Sequence, residues 1–411
     1  MTNQTERPIL TRLAFMVLWI FVFTIPMTYA TEIPLIGTIS TVSGVAAMIM
    51  AAIAVVARRQ VRVLGTAHMA MAGYIVWSAI TLCWSVAPDL TIHRITTYIQ
   101  LLVLVLLVWE MCVDERDILR MLSAFVLGTI IPALSTLQGF LPAQQTLIQR
   151  ATFFSPDGAG YDANQLAFLL ALSLPAAYFL ILKENGPIVA FFRLQMGFAV
   201  CAILLSGSPS AMTAMVVGLS IVCWNFQPVS IRSCVNAFVI ILLLAGGTLL
   251  LVPSGVWNEI GDRIRKGDVT LTSVIDTEVG RMQTTPIKGY GAGTQATPAA
   301  AVSYRLGGRP TVFTVLSETG PLGALCFLVM IGVLIAAAVR MSSVDRSFWL
   351  TALAVWGIGA FSLNWDCSQP AWLTFGLLAA HSACATTRKA AKAESPRAST
   401  IRFDGRAEVW S

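Results

Sequence analysis

Apolar runs of about 20 residues recur along the whole chain, each long enough to cross a hydrocarbon core of about 30 Å. They restrict the fold more than any motif does. Hydrophobic residues make up 56% of the 411 positions and charged residues 12%, and the mean hydropathy is +0.75. Soluble domains carry about twice that charge, roughly 25%. In lipid a helix satisfies its backbone groups within itself. The expected fold is therefore all-α: a polytopic membrane protein of about twelve spans. These centre near Leu18, Ala46, Val76, Leu104, Gly128, Ala171, Ala202, Gly218, Leu243, Val329, Val355 and Leu378. The run at 13–29 has a basic flank and an immediate second span, so it reads as a retained helix and not a cleaved signal.

The basic residues set an orientation. Arg7 and Arg12, then Arg58, Arg59 and Arg62, then Arg116 and Arg120, then Lys183 and Arg193, then Arg232, then Arg340 and Arg346 fall on one side of successive spans. The positive-inside rule makes that side cytoplasmic. Both termini are then expected in the cytoplasm, with 1–385 as the membrane domain and 386–411 as a basic, disordered tail that meets anionic lipid. The opposite short connectors carry only Arg94 and Arg150. The net charge of +6 is thus explained by topology and implies no nucleic-acid partner.

One long stretch, 254–309, is polar and basic, and it falls on the external side between spans nine and ten. Long loops translocate largely regardless of charge, so its Arg and Lys residues have no topological purpose. Arg281, Arg305 and Arg309 are candidates for phosphate binding, because a guanidinium matches phosphate oxygens in bidentate fashion. Its segment Gly289-Tyr290-Gly291-Ala292-Gly293-Thr294 lacks the strand and helix context of a nucleotide loop. A tight, glycine-dependent return of the chain is expected there instead.

Two further external segments carry signal. In 150–175, Arg150 precedes a Gly/Asp loop, and Asp162 or Asn164 opens a span. That pattern reads either as a plain helix cap or as Arg150 and a helix start facing an anion. In 309–325, Glu318 stands at the mouth of the tenth span. It reads as an interfacial cap facing water or as a functional acid at the membrane boundary.

The eight cysteines show no paired spacing and read as small apolar residues. His68, His93 and His381 fall on separate segments, so no metal-ligand cluster is expected. No cofactor is expected either.

At these segments the chain resembles the O-antigen ligase family, which includes O-antigen and exopolysaccharide polymerases. Asp162, Asn164 and Ala167 match its Asp-x-Asn-x-x-Ala opening of a span. Pro286, Gly289, Gly291 and Gly293 match its Pro and Gly-x-Gly-x-Gly at the end of a large external loop. Leu316, Glu318, Gly320 and Gly323 match the Leu-x-Glu-x-Gly-x-x-Gly that opens the following span. The stretch 94–109 is similar to its fourth span. The sequence departs from the family where Arg309 stands in place of a His before the Glu. It departs again at Ser206-Gly207-Ser208-Pro209, which lacks an Arg, and early in the long loop, where an Arg-Trp pair is missing.

The resemblance implies metal-independent glycosyl transfer at the inner membrane. The donor would be a glycan on a polyprenyl diphosphate carrier and the acceptor a glycan or lipid, with membrane lipids and other polysaccharide-assembly proteins as partners. Glu318 and Arg309 would be the catalytic candidates, and Arg94, Arg150, Asn164, Arg281 and Arg305 would bind the diphosphate or substrate. Arg309 stays protonated and is a poor base, so Glu318 is the candidate base and His93 a substitute. The other role for Glu318, favoured because the family's His is absent, is a structural ion pair with an Arg of the long loop that holds the loop closed. Two alternatives come from other classes: a transporter or flippase of anionic or amphipathic solutes, and a non-catalytic scaffold of an export complex.

Overall fold

The computed structural model describes residues 8–28, 32–33, 37–140, 163–225, 287–294 and 310–398. They are helical apart from turns and one antiparallel pair of two-residue strands, β1 (Glu32–Ile33) and β2 (Gly37–Thr38). The helices are α1 (Ile9–Thr24), α2 (Ile39–Arg58), α3 (Thr66–Ile80), α4 (Pro88–Met111), α5 (Glu115–Gly128) and α6 (Ile130–Phe140). They continue with α7 (Ala163–Lys183), α8 (Ile188–Ser206), α9 (Pro209–Asn225), α10 (Thr311–Val339), α11 (Ser343–Ser362) and α12 (Gln369–Ala398). Eight helical segments among the described residues are long and apolar enough to cross a membrane. The expected span centre at Leu243 lies outside the described residues, and the other expected centres fall in helices.

The apolar faces are divided as a bilayer requires. Leu166, Phe168, Leu170, Ala171, Ala177 and Phe179 of α7 are buried against neighbouring helices, whereas Leu322, Leu325 and Leu328 of α10 are exposed. In water such leucines would be a liability; facing lipid they are in their own solvent. Helix α7 runs through Pro175, whose missing N–H is tolerated where neighbouring helices cover the backbone. Helix α12 continues to Ala398, so helix extends into the segment expected to be a disordered tail.

The break in α10 decides where the site lies. Gly320 has φ 71° and ψ −180°, a conformation open to glycine. Pro321 follows, and a residue before proline avoids the helical region. The helix is therefore two pieces, 311–319 and 321–339. Pro321 has no N–H for the Ser317 carbonyl, and the turn at Gly320 carries the Glu318 and Thr319 carbonyls off the helix axis. Unpaired carbonyls at membrane depth cost several kcal/mol each. All three are satisfied from elsewhere: Tyr290 N–H donates to Ser317 O (3.0 Å), Gly291 N–H to Glu318 O (2.9 Å) and Trp77 Nε1–H to Thr319 O (2.9 Å).

Candidate functional site: a buried charge cluster behind a glycine-rich latch

The segment 287–294 lies against the broken helix and the turn that joins α3 to α4. Gly289, Gly291 and Gly293 all have positive φ, at 76°, 109° and 77°. A Cβ on Gly289 would stand 2.5 Å from Glu318 O, and one on Gly293 would stand 2.7 Å from Leu90 O. The three glycines therefore serve two needs, a left-handed backbone and backbone-to-backbone approach. The expected glycine-dependent return of the chain is what the structure has. The turn after α3 grips the segment from its other side. Trp84 Nε1–H donates to Lys288 O (3.0 Å), Ala292 N–H to Thr81 Oγ1 (3.0 Å) and Val86 N–H to Tyr290 O (3.0 Å).

This latch ends on a carboxylate. Gly293 N–H donates to Glu318 Oε2 at 2.7 Å, and Glu318 is 1% exposed. Its other oxygen is 3.8 Å from Arg94 Nη2. The water-facing cap proposed for Glu318 is thereby replaced by a buried clamp. Arg94, in the second turn of α4, also faces Asp366 in the connector between α11 and α12. Its Nη1 lies 3.4 Å from Asp366 Oδ2 and 2.8 Å from Cys367 Sγ. Burial, with Asp366 next to it, pushes the Cys367 thiol up to about 12, so it stays a neutral thiol. Cys367 is therefore a polar partner of the guanidinium, against the expectation that every cysteine is merely apolar filling.

The connector bearing Asp366 is itself pinned. Trp372 Nε1–H donates to Asp366 O (2.7 Å). Thr311 starts the first half of α10 by donating N–H (3.1 Å) and Oγ1–H (2.8 Å) to Leu363 O, and its Oγ1 accepts Trp365 N–H (2.8 Å). Tyr98 Oη donates to the Asp366 carboxylate, and Tyr74 Oη lies 3.0 Å from Tyr98 Oη. One cation is thus flanked by two carboxylates, with hydroxyl and amide donors completing their shells. Such a centre holds a guanidinium rigidly. It leaves Arg94 less free to grip an incoming anion than an unpaired arginine would be, since both neighbouring carboxylates repel phosphate.

Arg94 and Glu318 meet. Asn164 stands in the first turn of α7; one turn further on, Phe168 packs edge-on against Trp365 with ring centroids 5.7 Å apart. His93 is exposed, although Arg94 beside it is turned into the cluster. Arg150, Arg281, Arg305 and Arg309 lie outside the described residues. Sequence reasoning missed Asp366, Tyr98 and Tyr74. Asp366 had a signal, a lone acid between two apolar runs; the tyrosines had none, because in sequence they are indistinguishable from core aromatics.

The opposite end of the bundle carries a second charged group. Lys183 Nζ lies 2.9 Å from Glu115 Oε1 and 3.0 Å from Asp345 Oδ1, and Arg388 pairs with Glu115. Glu115, Asp345 and His381 place ligand-type atoms within 4.8 Å of one another. The trio does not suit a metal ion. The Lys183 ammonium already bridges the carboxylates. Trp349 Nε1–H donates to His381 Nδ1 (2.9 Å), which puts the proton of the neutral ring on Nε2, the nitrogen that would have to ligate. The arrangement is a staple between α5, α7, α11 and α12.

No protein-family model matches the chain, and no curated protein matches it.

Proposed function

We propose that this chain is a membrane glycosyl transferase of surface-polysaccharide assembly, of the O-antigen ligase or polymerase type. It moves a glycan from a polyprenyl diphosphate carrier to a glycan or lipid acceptor on the external face of the inner membrane. In this reading the chain has twelve spans, cytoplasmic termini and a large periplasmic loop between spans nine and ten. The latch end of the bundle is the external end.

One observation carries the proposal. Three stretches that bear the family resemblance, around Arg94, Gly293 and Glu318, meet in one buried centre, where Gly293 N–H donates to Glu318 and Arg94, more than 200 positions earlier, pairs with it. The chemistry suits such a site. A diphosphate is already a good leaving group, so fixed positive charge assists its departure without a metal or nucleotide. Binding the diphosphate falls to Arg150, Arg281, Arg305 and Arg309, with Asn164 as a further substrate contact, while Arg94 and Glu318 shape the chamber. In the gene-deletion strain, gel analysis of surface glycan should show lost chains or lost ligation. The wild-type gene should restore them, and a variant with Arg150, Arg305 and Arg309 all replaced by Ala should not. An unchanged glycan ladder in the deletion strain would rule the reading out.

The break at Gly320 favours one second reading, since interrupted spanning helices form substrate sites in transporters. A transporter or flippase would accumulate solute in vesicles and leave glycan length unchanged.

A further inference from the structure

Tyr74 and Tyr98 are both 0% exposed, and their rings pack against aromatic neighbours. Tyr74 packs against Phe327 with ring centroids 5.2 Å apart, and Tyr98 against Trp372 at 6.3 Å. Phenylalanine would fill the same space without bringing a hydroxyl into a dry interior, where an unpaired hydroxyl costs about 1–3 kcal/mol. Counting protons fixes the direction of the bonds. A tyrosine has one O–H. Tyr98 directs its own at the Asp366 carboxylate, so the 3.0 Å bond between the two rings must be donated by Tyr74. The order is Tyr74 to Tyr98 to Asp366, and Asp366 in turn faces Arg94.

We propose that Tyr74 and Tyr98 are positioning residues, a two-hydroxyl relay in series that orients Asp366 and, through it, the Arg94 guanidinium. The relay ties α3, which carries Trp77 against the broken helix, to the cluster on α4. Tyr74 touches neither Asp366 nor Arg94 through a hydrogen bond; it acts only by polarising the Tyr98 hydroxyl, since hydrogen bonds in a chain strengthen one another. For its consequence on turnover the proposal rests on the transferase reading; its geometric content does not.

Cys367 supplies a readout that needs no substrate. Its sulfur accepts from Arg94 Nη1 at 2.8 Å, and a cation at that distance favours the reactive thiolate, so loosening Arg94 slows its reaction. In a protein whose other cysteines are replaced by Ala, the rate of Cys367 labelling by N-ethylmaleimide would be measured in detergent. Tyr98→Phe removes a charge-assisted bond and should lower that rate tenfold or more. Tyr74→Phe should lower it less, and the double variant should match Tyr98→Phe alone, because a series relay has no second route. Equal rates in all variants, or multiplied effects in the double variant, overturn the proposal. If Tyr98→Phe does not give monodisperse protein, Tyr74→Phe decides alone: an unchanged rate sinks the relay. In glycan transfer, both variants should lower kcat and leave KM in place. Labelling that behaves as described in a protein without transferase activity would uphold the relay and reject the transferase reading.

Discussion

At the scale of single residues, Glu318 and Gly293 define what the site can be. Glu318 was a candidate base on sequence grounds, but one of its oxygens receives the Gly293 amide and the other faces Arg94. A carboxylate so occupied behaves as a clamp. In Glu318→Gln the amide oxygen can still accept from Gly293, but its NH2 confronts the guanidinium, donor against donor. The expected result is reduced, measurable transfer together with a stability loss of about 1–3 kcal/mol, read from initial rates and thermal unfolding on the same preparation. Abolished transfer at unchanged stability would restore the role of base. Gly293→Ala attacks the same contact from the other side. Its φ of 77° is strained for alanine and its Cβ would meet Leu90 O, so a destabilisation of roughly 2–3 kcal/mol is expected. A thermal midpoint equal to that of the native protein would show that the latch does not need this glycine.

At the scale of elements, the helix ends carry the specificity of assembly, since lipid offers helices little hydrophobic drive to associate. The staple around Lys183 joins four helices at the end opposite the latch. Lys183→Met would leave the Glu115 and Asp345 carboxylates side by side without their ammonium. Both are only partly exposed, so after allowance for solvent screening the loss should be about 1–3 kcal/mol. Adding Asp345→Asn should recover part of it, and failure of that rescue in thermal unfolding would show that Lys183 acts through packing alone. These elements also show what the sequence could and could not reveal. The apolar runs exposed the helices, because span length is set by bilayer thickness. The Gly-x-Gly-x-Gly run exposed the return of the chain, because positive φ demands glycine. The Gly320-Pro321 pair is a local reason for the break, though sequence reasoning did not single it out as one. Nothing local could show that Trp77, Thr81 and Trp84 would satisfy the carbonyls and amides of a segment some 200 positions away. Asp366 and Cys367 gain their meaning from Arg94, a partner on a different helix.

At the scale of the whole molecule, the bundle has two poles: a basic end held by ion pairs, and a latch end where one arginine is enclosed by two acids. In the proposed orientation the basic end faces the cytoplasm. Cys83, exposed at the end of the turn after α3, should then react with an impermeant thiol reagent in intact spheroplasts when it is the sole cysteine. A single cysteine placed at Ser395 should react only after lysis. Labelling at Ser395 before lysis would invert the topology. Glycan transfer itself can be measured. Purified protein in proteoliposomes would be given a polyprenyl diphosphate-linked oligosaccharide, with EDTA present and without ATP. The expected products are longer carrier-linked chains or glycan joined to a lipid acceptor, with release of the free carrier diphosphate, and transfer by Glu318→Gln should be weaker. Accumulation of the saccharide inside the vesicles, with chain length and carrier linkage unchanged, would contradict the transferase reading.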